Sequence, residues 1–194
     1  GSEMCIRDRT LMTKLRNAGI YFHSMSRVKT LTSLQRKLDT GKYGTGKDDK
    51  KIQDLIGIRI NLFYTEDIRI SEALLEDTFM VDNWSKTAWE ENRFEAQKCN
   101  GVFKIPSKYL INISDQLWEQ PFDRTFEVQL RTVLFEGWHE IEHEMRYKYK
   151  MDEGFDDNRS SLWDGQEKDA RMMNSIIANL ELCLSLIHIS EPTR

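Results

Sequence analysis

The sequence predicts an α/β fold, in which a sheet of short strands is flanked by helices. Apolar residues alternate with other residues in Ile56–Leu62 and in Phe126–Leu130, which is the pattern of strands with one buried face. From Leu134 to Met145 the apolar residues instead recur at three- and four-residue steps, which indicates a helix packed against the second strand. We therefore expect a strand followed directly by a helix in this part of the chain.

The remaining elements follow from apolar spacing and from turn and cap residues. The predicted helices are Thr10–Asn17, Thr30–Leu38, Lys50–Leu55, Glu66–Asp77, Thr132–Lys150 and Gln166–Leu184. The other predicted strands are Tyr21–Lys29, Phe79–Trp84, Arg93–Lys98, Gly101–Ile105, Tyr109–Ile113 and Phe122–Leu130. Three helices have expected apolar faces: Leu31, Leu34 and Leu38; Ile70, Ala73 and Leu74; and Met172, Ile176, Leu180 and Cys183 or Leu184. We expect the last face to pack in the core or against another subunit.

Length and charge limit the function classes. A chain of 194 residues is long enough for one domain with a substantial core, which we place at residues 10–184. Residues 1–9 and 185–194 resemble a tag scar and translated read-through sequence, so we expect them to carry no function. The net charge of −4, from 28 basic and 32 acidic residues, provides no overall basic field for nucleic-acid binding.

Cysteine usage and hydropathy favour a cytoplasmic protein. Cys5, Cys99 and Cys183 are scattered and form no C-x-x-C pair, so we expect neither a disulfide framework nor a structural zinc site. We also expect no apolar run to approach the roughly 20 residues that cross a bilayer. A reducing cytoplasm is the compartment that fits both observations.

Cationic side chains collect after the first predicted strand. Arg27 and Lys29 end that strand and Lys37 lies on the next helix, a geometry that can gather positive charge around a polyphosphate. Scattered solvated cations are the alternative interpretation. The loop Gly41–Lys47 imitates the phosphate-binding motif G-x-x-x-x-G-K-[ST], but Asp48 replaces the hydroxyl and a helix precedes the loop. We therefore predict that this segment is an ordinary loop.

Two carboxylates, Asp54 and Glu127, are candidates for a divalent-cation site. Glu127 lies on the polar face of a predicted strand beside a helix, where its carboxylate would be held in a fixed position. Asp54 precedes the strand Ile56–Leu62, so the two side chains could meet at one edge of the sheet. Hard carboxylate oxygens suit Mg²⁺. The alternative for Glu127 is a carboxylate on a solvated strand face.

A zinc hydrolase is the alternative of another class. The run His139–His143 matches H-E-x-x-H on a predicted helix, with Glu140 as the possible general base. The extended motif of the metzincins fails, because Arg146 and Tyr149 stand where it has a glycine and a third histidine. A third zinc ligand would have to come from an acidic residue further along the chain.

Three blocks together resemble the synthetase domain of the RelA/SpoT family, and more closely its single-domain small alarmone synthetases. The blocks are S-R-V-K-T-L-T-S-L-Q-R-K (Ser26–Lys37), D-L-I-G-I-R-I (Asp54–Ile60) and F-E-V-Q-L-R-T with W-H-E-I-E-H-E-M-R-Y-K (Phe126–Lys148). They occur in the family's order between about Tyr21 and Lys150. The resemblance implies a nucleotidyltransferase-like α+β fold with a mixed, mainly antiparallel sheet flanked by helices. It also accounts for the H-E-x-x-H run without zinc.

The resemblance implies transfer of the β,γ-pyrophosphate of ATP to the 3′-hydroxyl of a purine nucleotide, usually GDP or GTP, which gives (p)ppGpp and AMP. The residues implied to bind ATP are Arg27, Lys29, Ser33, Lys37 and Arg59. Asp54 and Glu127 are implied to hold Mg²⁺, and Glu127 to take the proton from the attacking hydroxyl. The residues implied to bind the acceptor are Lys98, Asn100, Phe103, Lys104, Gln129 and Arg131. A homo-oligomer is also implied.

The acceptor loop departs from the family pattern K-x-N-G-Y-x-S-L-H. Lys98–Gly101 agrees with it, but Val102 replaces the Tyr that stacks on guanine and Pro106 replaces the His. A valine has no aromatic face, so Phe103 or Trp84 would have to provide one. Three acceptors therefore stay open: GDP or GTP, an adenine nucleotide giving (p)ppApp, or the 3′ end of a tRNA. A catalytically inactive nucleotide-binding sensor is a further alternative.

Overall fold

The computed structural model describes residues 2–46, 49–86, 99–110, 120–141 and 160–190, which form one sheet with flanking helices. The helices are α1 (Ser2–Asn17), α2 (Leu31–Leu38), α3 (Asp67–Thr78), α4, which begins at 133 and is described to 141, and α5 (Ser160–Ser190). The strands are β1 (Phe22–Val28), β2 (Ile56–Leu62), β3 (Val81–Lys86), β4 (Cys99–Lys104) and β5 (Thr125–Thr132).

The sheet has five strands in the order β1-β2-β5-β4-β3. Strands β2 and β5 pair in parallel, and the other three pairs are antiparallel. The predicted mixed, mainly antiparallel sheet flanked by helices is therefore confirmed. Because β2 and β5 run in the same direction, the residues around their starts meet at one end of the sheet. Gly57 of β2 pairs with Glu127 of β5 at this end.

One face of the sheet is buried under α1 and α3. The helices contribute Leu11 and Leu15 from α1 and Leu75 from α3, which pack on side chains such as Ile60 and Val128 of the central strands. Burying each side chain of this size stabilises the fold by about 1.5–3 kcal/mol. The alternation of β2 and β5 leaves their other side chains on the opposite face, which these two helices do not cover.

A second, smaller core cluster joins α4 to α5. Phe135 and Trp138 of α4 pack with Ile177 of α5. Thr65, in the loop after β2, donates a hydrogen bond from Oγ1 to Glu181 Oε2 of α5 at 3.4 Å. Burial raises the pKa of Glu181 to about 7. Helix α5 therefore holds α4 beside the ends of the central strands.

The predicted helix Lys50–Leu55 is wrong, because this segment is extended. Ile52 forms a parallel bridge with Phe122, and its N–H donates to the carbonyl of Pro121 at 2.8 Å. The segment pairs through its backbone with the residues that lead into β5, and the Ile52 side chain is fully buried. These tertiary interactions outweigh the helical spacing of the apolar residues in this segment. The predicted edge strand Tyr109–Ile113 is also wrong at its start, where a 3₁₀ turn spans Ser107–Tyr109. Residues 111–113 of that predicted strand and the predicted strand Arg93–Lys98 lie outside the described residues.

The predicted apolar faces of three helices differ from the observed ones. In α2 no residue is buried, and Leu31 is 84% exposed. In α3 the buried residues are Asp67, Ile68, Ser71 and Leu75, whereas Ile70 and Ala73 are exposed and Leu74 is partly buried against the core. In α5 the residues of the predicted apolar stripe are all exposed: Met172, Ile176, Leu180, Cys183 and Leu184. The prediction that this stripe packs in the core is therefore wrong.

Helix α5 also contains a long apolar run. Arg171–Ser190 has a mean hydropathy of 1.4 over 18 residues and by length and composition alone is long enough to cross a membrane. The expectation that no run approaches this length is wrong. Isolated polar residues interrupt the run without adding many charges, so a search for unbroken apolar stretches overlooks it.

Candidate active site

Two rows of side chains cross the sheet on the face away from α1 and α3. The pairing register aligns the first row as Arg27, Gly57, Glu127 and Val102. It aligns the second row as Met25, Arg59, Gln129 and Asn100. Because alternate residues of a strand share a face, residues from four strands project towards the same side.

A pocket of about 210 Å³ lies on this face. Its lining contains both predicted carboxylates, Asp54 and Glu127, and both predicted arginines, Arg27 and Arg59. The Arg27 side chain passes over Gly57, where a Cβ atom would meet its Cγ at 3.8 Å. The structure thus brings together residues that come from three separate blocks of the sequence.

Asp54 is held at the pocket by two lysines. Lys29 donates from Nζ to Asp54 Oδ2 at 2.8 Å, and Lys37 donates to Oδ1 and Oδ2 at 2.9 and 2.8 Å. The backbone fixes this arrangement, because the Lys29 N–H donates to the Leu55 carbonyl at 2.9 Å. Helix α2 begins directly afterwards, with Thr30 Oγ1 accepting from its backbone as the N-cap. The predicted cluster of cations beside a carboxylate is present in the structure.

The charges of this cluster shift the pKa values of Asp54 and Lys37. Burial raises the pKa of Asp54, but hydrogen bonds and charge from Lys29 and Lys37 outweigh burial, so the pKa lies below its ordinary value. Burial lowers the pKa of Lys37, but the Asp54 hydrogen bond and the charges of Asp54, Tyr43 and Glu127 raise it overall. Asp54 and Lys37 therefore stay charged at neutral pH.

Glu127 accepts hydrogen bonds from two side-chain amides. Asn100 donates from Nδ2 to Oε1 at 3.0 Å, and Gln129 donates from Nε2 to Oε2 at 2.9 Å. Arg59 donates from Nε to Gln129 Oε1 at 3.2 Å, so the Gln129 amide must present its NH₂ group to Glu127. Each carboxylate oxygen is oriented by one donor, and each keeps a lone pair for a further ligand.

Arg59 also contacts two carboxylates of α4. Its guanidinium pairs with the buried Glu136 and, at 3.3 Å, with Glu140. Glu136 was not among the predicted site residues, because its i,i+4 spacing from Glu140 on the helix after β5 is too common a pattern to single it out. Burial, together with the charge of Arg59, lowers the pKa of Arg131, whereas the charges of Glu136 and Glu127 act in the opposite direction.

Asp54 and Glu127 are the residues that could hold a divalent metal ion. Among the residues that the structure describes, no three His, Cys, Asp or Glu side chains form a metal-binding group. A pair of carboxylates nevertheless fits Mg²⁺, which is commonly bound by one or two carboxylates together with substrate phosphates. If Asp54 bound a metal ion, the substrate phosphates would provide Lys29 and Lys37 with a new negatively charged partner. The donor set therefore fits a metal that arrives with a polyphosphate.

Not all predicted acceptor residues lie at this pocket. Asn100 and Gln129 contact Glu127, and Arg131 follows Gln129 on the same face of β5. Lys104 instead lines a larger depression of about 480 Å³ beside the start of β5. That depression contains neither Asp54 nor Glu127, so we assign the chemistry to the smaller pocket. Lys98 lies outside the described residues.

The predicted acceptor role of Phe103 is wrong. Its side chain is 0% exposed and packs against Phe126 and Phe79 in the core, because it lies on the face of β4 opposite to Asn100. Trp84 lies on the same core face, where its ring meets Phe103 edge to face at 5.3 Å. Neither ring is placed to stack on a nucleotide in the pocket.

The burial of Phe103 yields a prediction. Phe103→Leu is expected to lower the free energy of unfolding by about 1–2 kcal/mol, because it removes part of a fully buried ring. The KM of every substrate should stay within about twofold. Chemical denaturation and steady-state kinetics measure the two effects. Phe63→Leu, at a partly exposed ring, is the control. If Phe103→Leu raised the acceptor KM without lowering stability, Phe103 would have to contact the acceptor after all.

Comparison with known proteins extends this picture. A sequence profile described as "Region found in RelA / SpoT proteins" matches residues 26–152, which is more than half of the chain. The chain belongs to the RelA/SpoT family. This membership confirms the predicted resemblance and the predicted enzyme class, a nucleotide pyrophosphokinase. Enzymes of this family are generally metal-dependent. No curated protein sequence matches this RelA/SpoT chain significantly.

Solved structures of small alarmone synthetases share this RelA/SpoT fold. Small alarmone synthetase 2 from Bacillus subtilis has a TM-score of 0.69 and 18% identity, covering 97% of this chain and 94% of its own. Small alarmone synthetase 1 from the same organism, bound to pppGpp, has a TM-score of 0.68 and 19% identity, covering 97% and 91%. A GTP pyrophosphokinase family protein from Streptococcus pneumoniae has a TM-score of 0.66 and 20% identity, covering 97% and 87%.

Membership in the RelA/SpoT family leaves the zinc hydrolase without support. The profile includes the H-E-x-x-H run, so the helix carrying His139 belongs to the pyrophosphokinase domain. In the described part of that helix, Glu140 contacts Arg59 rather than a metal-binding group. His143 lies outside the described residues.

Proposed function

We propose that this enzyme is (p)ppGpp synthetase-like and moves the β,γ-pyrophosphate of ATP to the 3′-hydroxyl of a purine nucleotide. One observation carries the proposal: Asp54 and Glu127 line the same pocket as Arg27 and Arg59, and Lys29 and Lys37 reach Asp54. Small alarmone synthetase 1 of Bacillus subtilis, which shares the fold, has been crystallised with pppGpp and with AMPCPP. Both are nucleotides, as the proposal requires.

On the donor side, the cations would bind the triphosphate of ATP. Pyrophosphate transfer depends chiefly on positioning and on neutralising charge in the transition state. Lys29 and Lys37 supply positive charge at Asp54, while Arg27 and Arg59 can contact phosphates or stack on the adenine. Ser33 lies in the first turn of α2, where its hydroxyl accepts from Thr30 Oγ1 at 3.0 Å, and we propose that it adds a phosphate contact.

Glu127 is the proposed general base, since its oxygens are oriented by Asn100 and Gln129 and can accept the proton of an attacking hydroxyl. We propose Mg²⁺ as the metal, held by Asp54 and Glu127. When bound, it would supply charge neutralisation at the transferring phosphates. Asn100, Gln129 and Arg131 would then contact the acceptor, because they lie on the same face beside Glu127.

The acceptor is proposed to be a guanine nucleotide, with adenine nucleotides and tRNA 3′ ends as the alternatives. Val102 is the cross-strand partner of Glu127, so it occupies the place where a stacking side chain would contact an acceptor base. Without an aromatic face there, the pocket contacts the base more weakly. We also propose a cytoplasmic homo-oligomer, consistent with the exposed apolar side chains of α5, and a single domain at residues 10–184.

The position of Val102 yields a prediction. Val102→Tyr is expected to lower the KM of a purine nucleotide acceptor by about five- to tenfold, since one base–aromatic stack contributes about 1–3 kcal/mol. The KM for ATP should not change. Val102→Leu, which adds bulk without an aromatic face, is the control. Steady-state kinetics with each acceptor would contradict the prediction if both variants shifted the acceptor KM equally.

Transfer of label from ATP tests the proposed function. The protein is incubated with γ-labelled ATP and Mg²⁺, and separately with GDP, GTP, ADP, ATP or tRNA. Label in a guanine nucleotide supports the main proposal, and label in an adenine nucleotide or tRNA selects an alternative acceptor. Failure of all five acceptors, despite binding of AMPCPP, would overturn it in favour of a nucleotide-binding sensor.

A further inference from the structure

We infer that Glu136 is a positioning residue, whose buried carboxylate holds Arg59 in the orientation that binds the donor nucleotide. The inference rests on the proposed function, because it specifies how the donor side of the same pocket is organised. Glu136 does not line the pocket, so it acts through Arg59 rather than on a substrate. The contacts of three side chains carry the argument: Arg59, Gln129 and Glu127.

Glu136 is the better anchored of the two carboxylates that contact Arg59. Its side chain is only 9% exposed, whereas that of Glu140 is 64% exposed. Glu136 lies in the first turn of α4, where Thr132 Oγ1 caps the helix by accepting from Phe135 N–H at 3.3 Å. A carboxylate near a helix N-terminus is stabilised by the helix dipole. A buried, charge-assisted pair is also stronger than an exposed one.

This anchoring determines which part of Arg59 is available to a ligand. Nε donates to Gln129 and the Nη1 group pairs with Glu136, so two of the three guanidinium nitrogens are held by the protein. The planar faces and the other N–H groups are left for a ligand in the pocket that Arg59 lines. A guanidinium held at two of its nitrogens can stack on a purine or bind a phosphate without first losing side-chain entropy.

The anchoring of Arg59 also affects the orientation of Glu127, the proposed base. Gln129 has one accepting oxygen and one donating NH₂ group. Because Arg59 donates to the oxygen, the NH₂ group faces Glu127 Oε2 at 2.9 Å. If Arg59 left Gln129, the amide could rotate and direct its oxygen against the Glu127 carboxylate, which is repulsive. Glu136 thus fixes the donor-side arginine and, through two hydrogen bonds, the orientation of Glu127.

The surrounding charges explain why a carboxylate is needed at this position. Arg59 and the half-buried Arg131 lie close enough for the charge of each to act on the other, and Glu136 offsets both. The second oxygen of Glu136, Oε2, is buried and has no hydrogen-bond partner among the described residues. A neutral amide would keep the shape of the side chain but would lose the attraction for both arginines.

Kinetics of two matched variants test the inference. Glu136→Gln is expected to raise the KM for ATP about tenfold and leave the KM of the acceptor within about twofold, because one charge-assisted contact to Arg59 is lost. Glu140→Gln removes the exposed carboxylate that contacts the same guanidinium and should change both constants by less than about twofold. Equal effects of the two variants, or an equal rise in both KM values for Glu136→Gln, would overturn the inference.

The Arg59 side chain can also be observed directly. With ¹⁵N-labelled arginine, the Nε–H signal of Arg59, assigned by its loss in Arg59→Lys, should be sharp and slowly exchanging in the wild type. It should broaden or exchange faster in Glu136→Gln, and it should stay sharp in Glu140→Gln. A mobile Arg59 signal already in the wild type would overturn the inference without any variant. This readout needs no substrate, so it separates the anchoring of Arg59 from the proposed function.

Calorimetry with AMPCPP also separates the inference about Glu136 from the proposed function. The wild type is expected to bind the analogue, and Glu136→Gln to bind it about tenfold more weakly. Wild-type protein that binds no AMPCPP would count against the proposed function, even with an ordered Arg59. Normal binding by Glu136→Gln, alongside a mobile Arg59, would instead overturn the inference and leave the proposed function standing.

Discussion

Glu127→Gln is expected to lower kcat for pyrophosphate transfer by about 10²- to 10⁴-fold, the contribution typical of a general base. The dissociation constant of AMPCPP should change much less, because the variant keeps nearly the same volume in the pocket. The amide of the variant has only one accepting atom, whereas Glu127 accepts from both Asn100 and Gln129. One of these donors therefore loses its partner as well. Steady-state kinetics and calorimetry measure the two effects.

Glu76→Gln is the control for this variant. Glu76 is an exposed carboxylate on α3, and it accepts from Trp84 Nε1 at 2.9 Å on the side of the sheet away from the pocket. The control should retain kcat within about twofold. If Glu127→Gln were as active as the control, Glu127 would be excluded as the base. If it lost AMPCPP binding entirely, its main role would be in binding rather than in proton transfer.

The sequence was sufficient to predict the centre of the site because strand periodicity is strict. Alternation in Phe126–Leu130 directed Glu127 and Gln129 to the same face, and alternation in Ile56–Leu62 placed Arg59 opposite the buried isoleucines. What the sequence lacked was the pairing register. Parallel pairing of β2 with β5 aligns Arg59 with Gln129, and no local pattern specifies this alignment.

The error at Phe103 has a different cause. Asn100 and Val102 share one face of β4, so the same alternation that placed Glu127 would have directed Phe103 to the core. Phe103 was predicted to replace the missing aromatic face of a tyrosine, although strand alternation directs its side chain to the other face. The Lys50–Leu55 error, by contrast, was not avoidable from local pattern, because the partner that makes Ile52 extended is Phe122, far along the chain.

Glu136 was missed because its role depends on a tertiary contact. On the helix it is one of several glutamates with ordinary i,i+4 spacing, and nothing in the sequence distinguishes it from Glu140. Only the short connection from β5 to α4 directs Glu136 inward towards Arg59 and leaves Glu140 exposed. Burial of a carboxylate beside two arginines is the structural signal that separates these two residues.

Asp54→Asn is expected to lower kcat/KM by about 10³-fold, since it removes a proposed metal ligand and the carboxylate that pairs with two lysines. Lys29 and Lys37 would then keep their charge without a partner in the pocket. The variant should therefore bind metal-free AMPCPP at least as tightly as the wild type does. Addition of Mg²⁺ should strengthen binding in the wild type and not in the variant. Calorimetry with and without Mg²⁺ measures this difference.

Asp77→Asn is the matched control, because Asp77 forms a single ion pair of the same length, 2.8 Å, with Lys14 between α1 and α3. It should leave activity and Mg²⁺ dependence unchanged, since this pair lies outside the pocket. A wild-type enzyme whose analogue binding ignores Mg²⁺, or a variant that keeps its Mg²⁺ response, would exclude Asp54 as a metal ligand.

The lowered pKa of Asp54 makes the contribution of this carboxylate to stability depend on pH. A carboxyl group whose folded-state pKa is lowered stabilises the fold above its unfolded pKa of about 3.9, and this stabilisation is lost as the pH falls through the lower folded-state value. The difference in unfolding free energy between wild type and Asp54→Asn should thus be full above about pH 4 and shrink on further acidification. Urea titrations across this range measure it. A difference that grew with acidification would show that the two lysines do not hold the Asp54 carboxylate in its charged form.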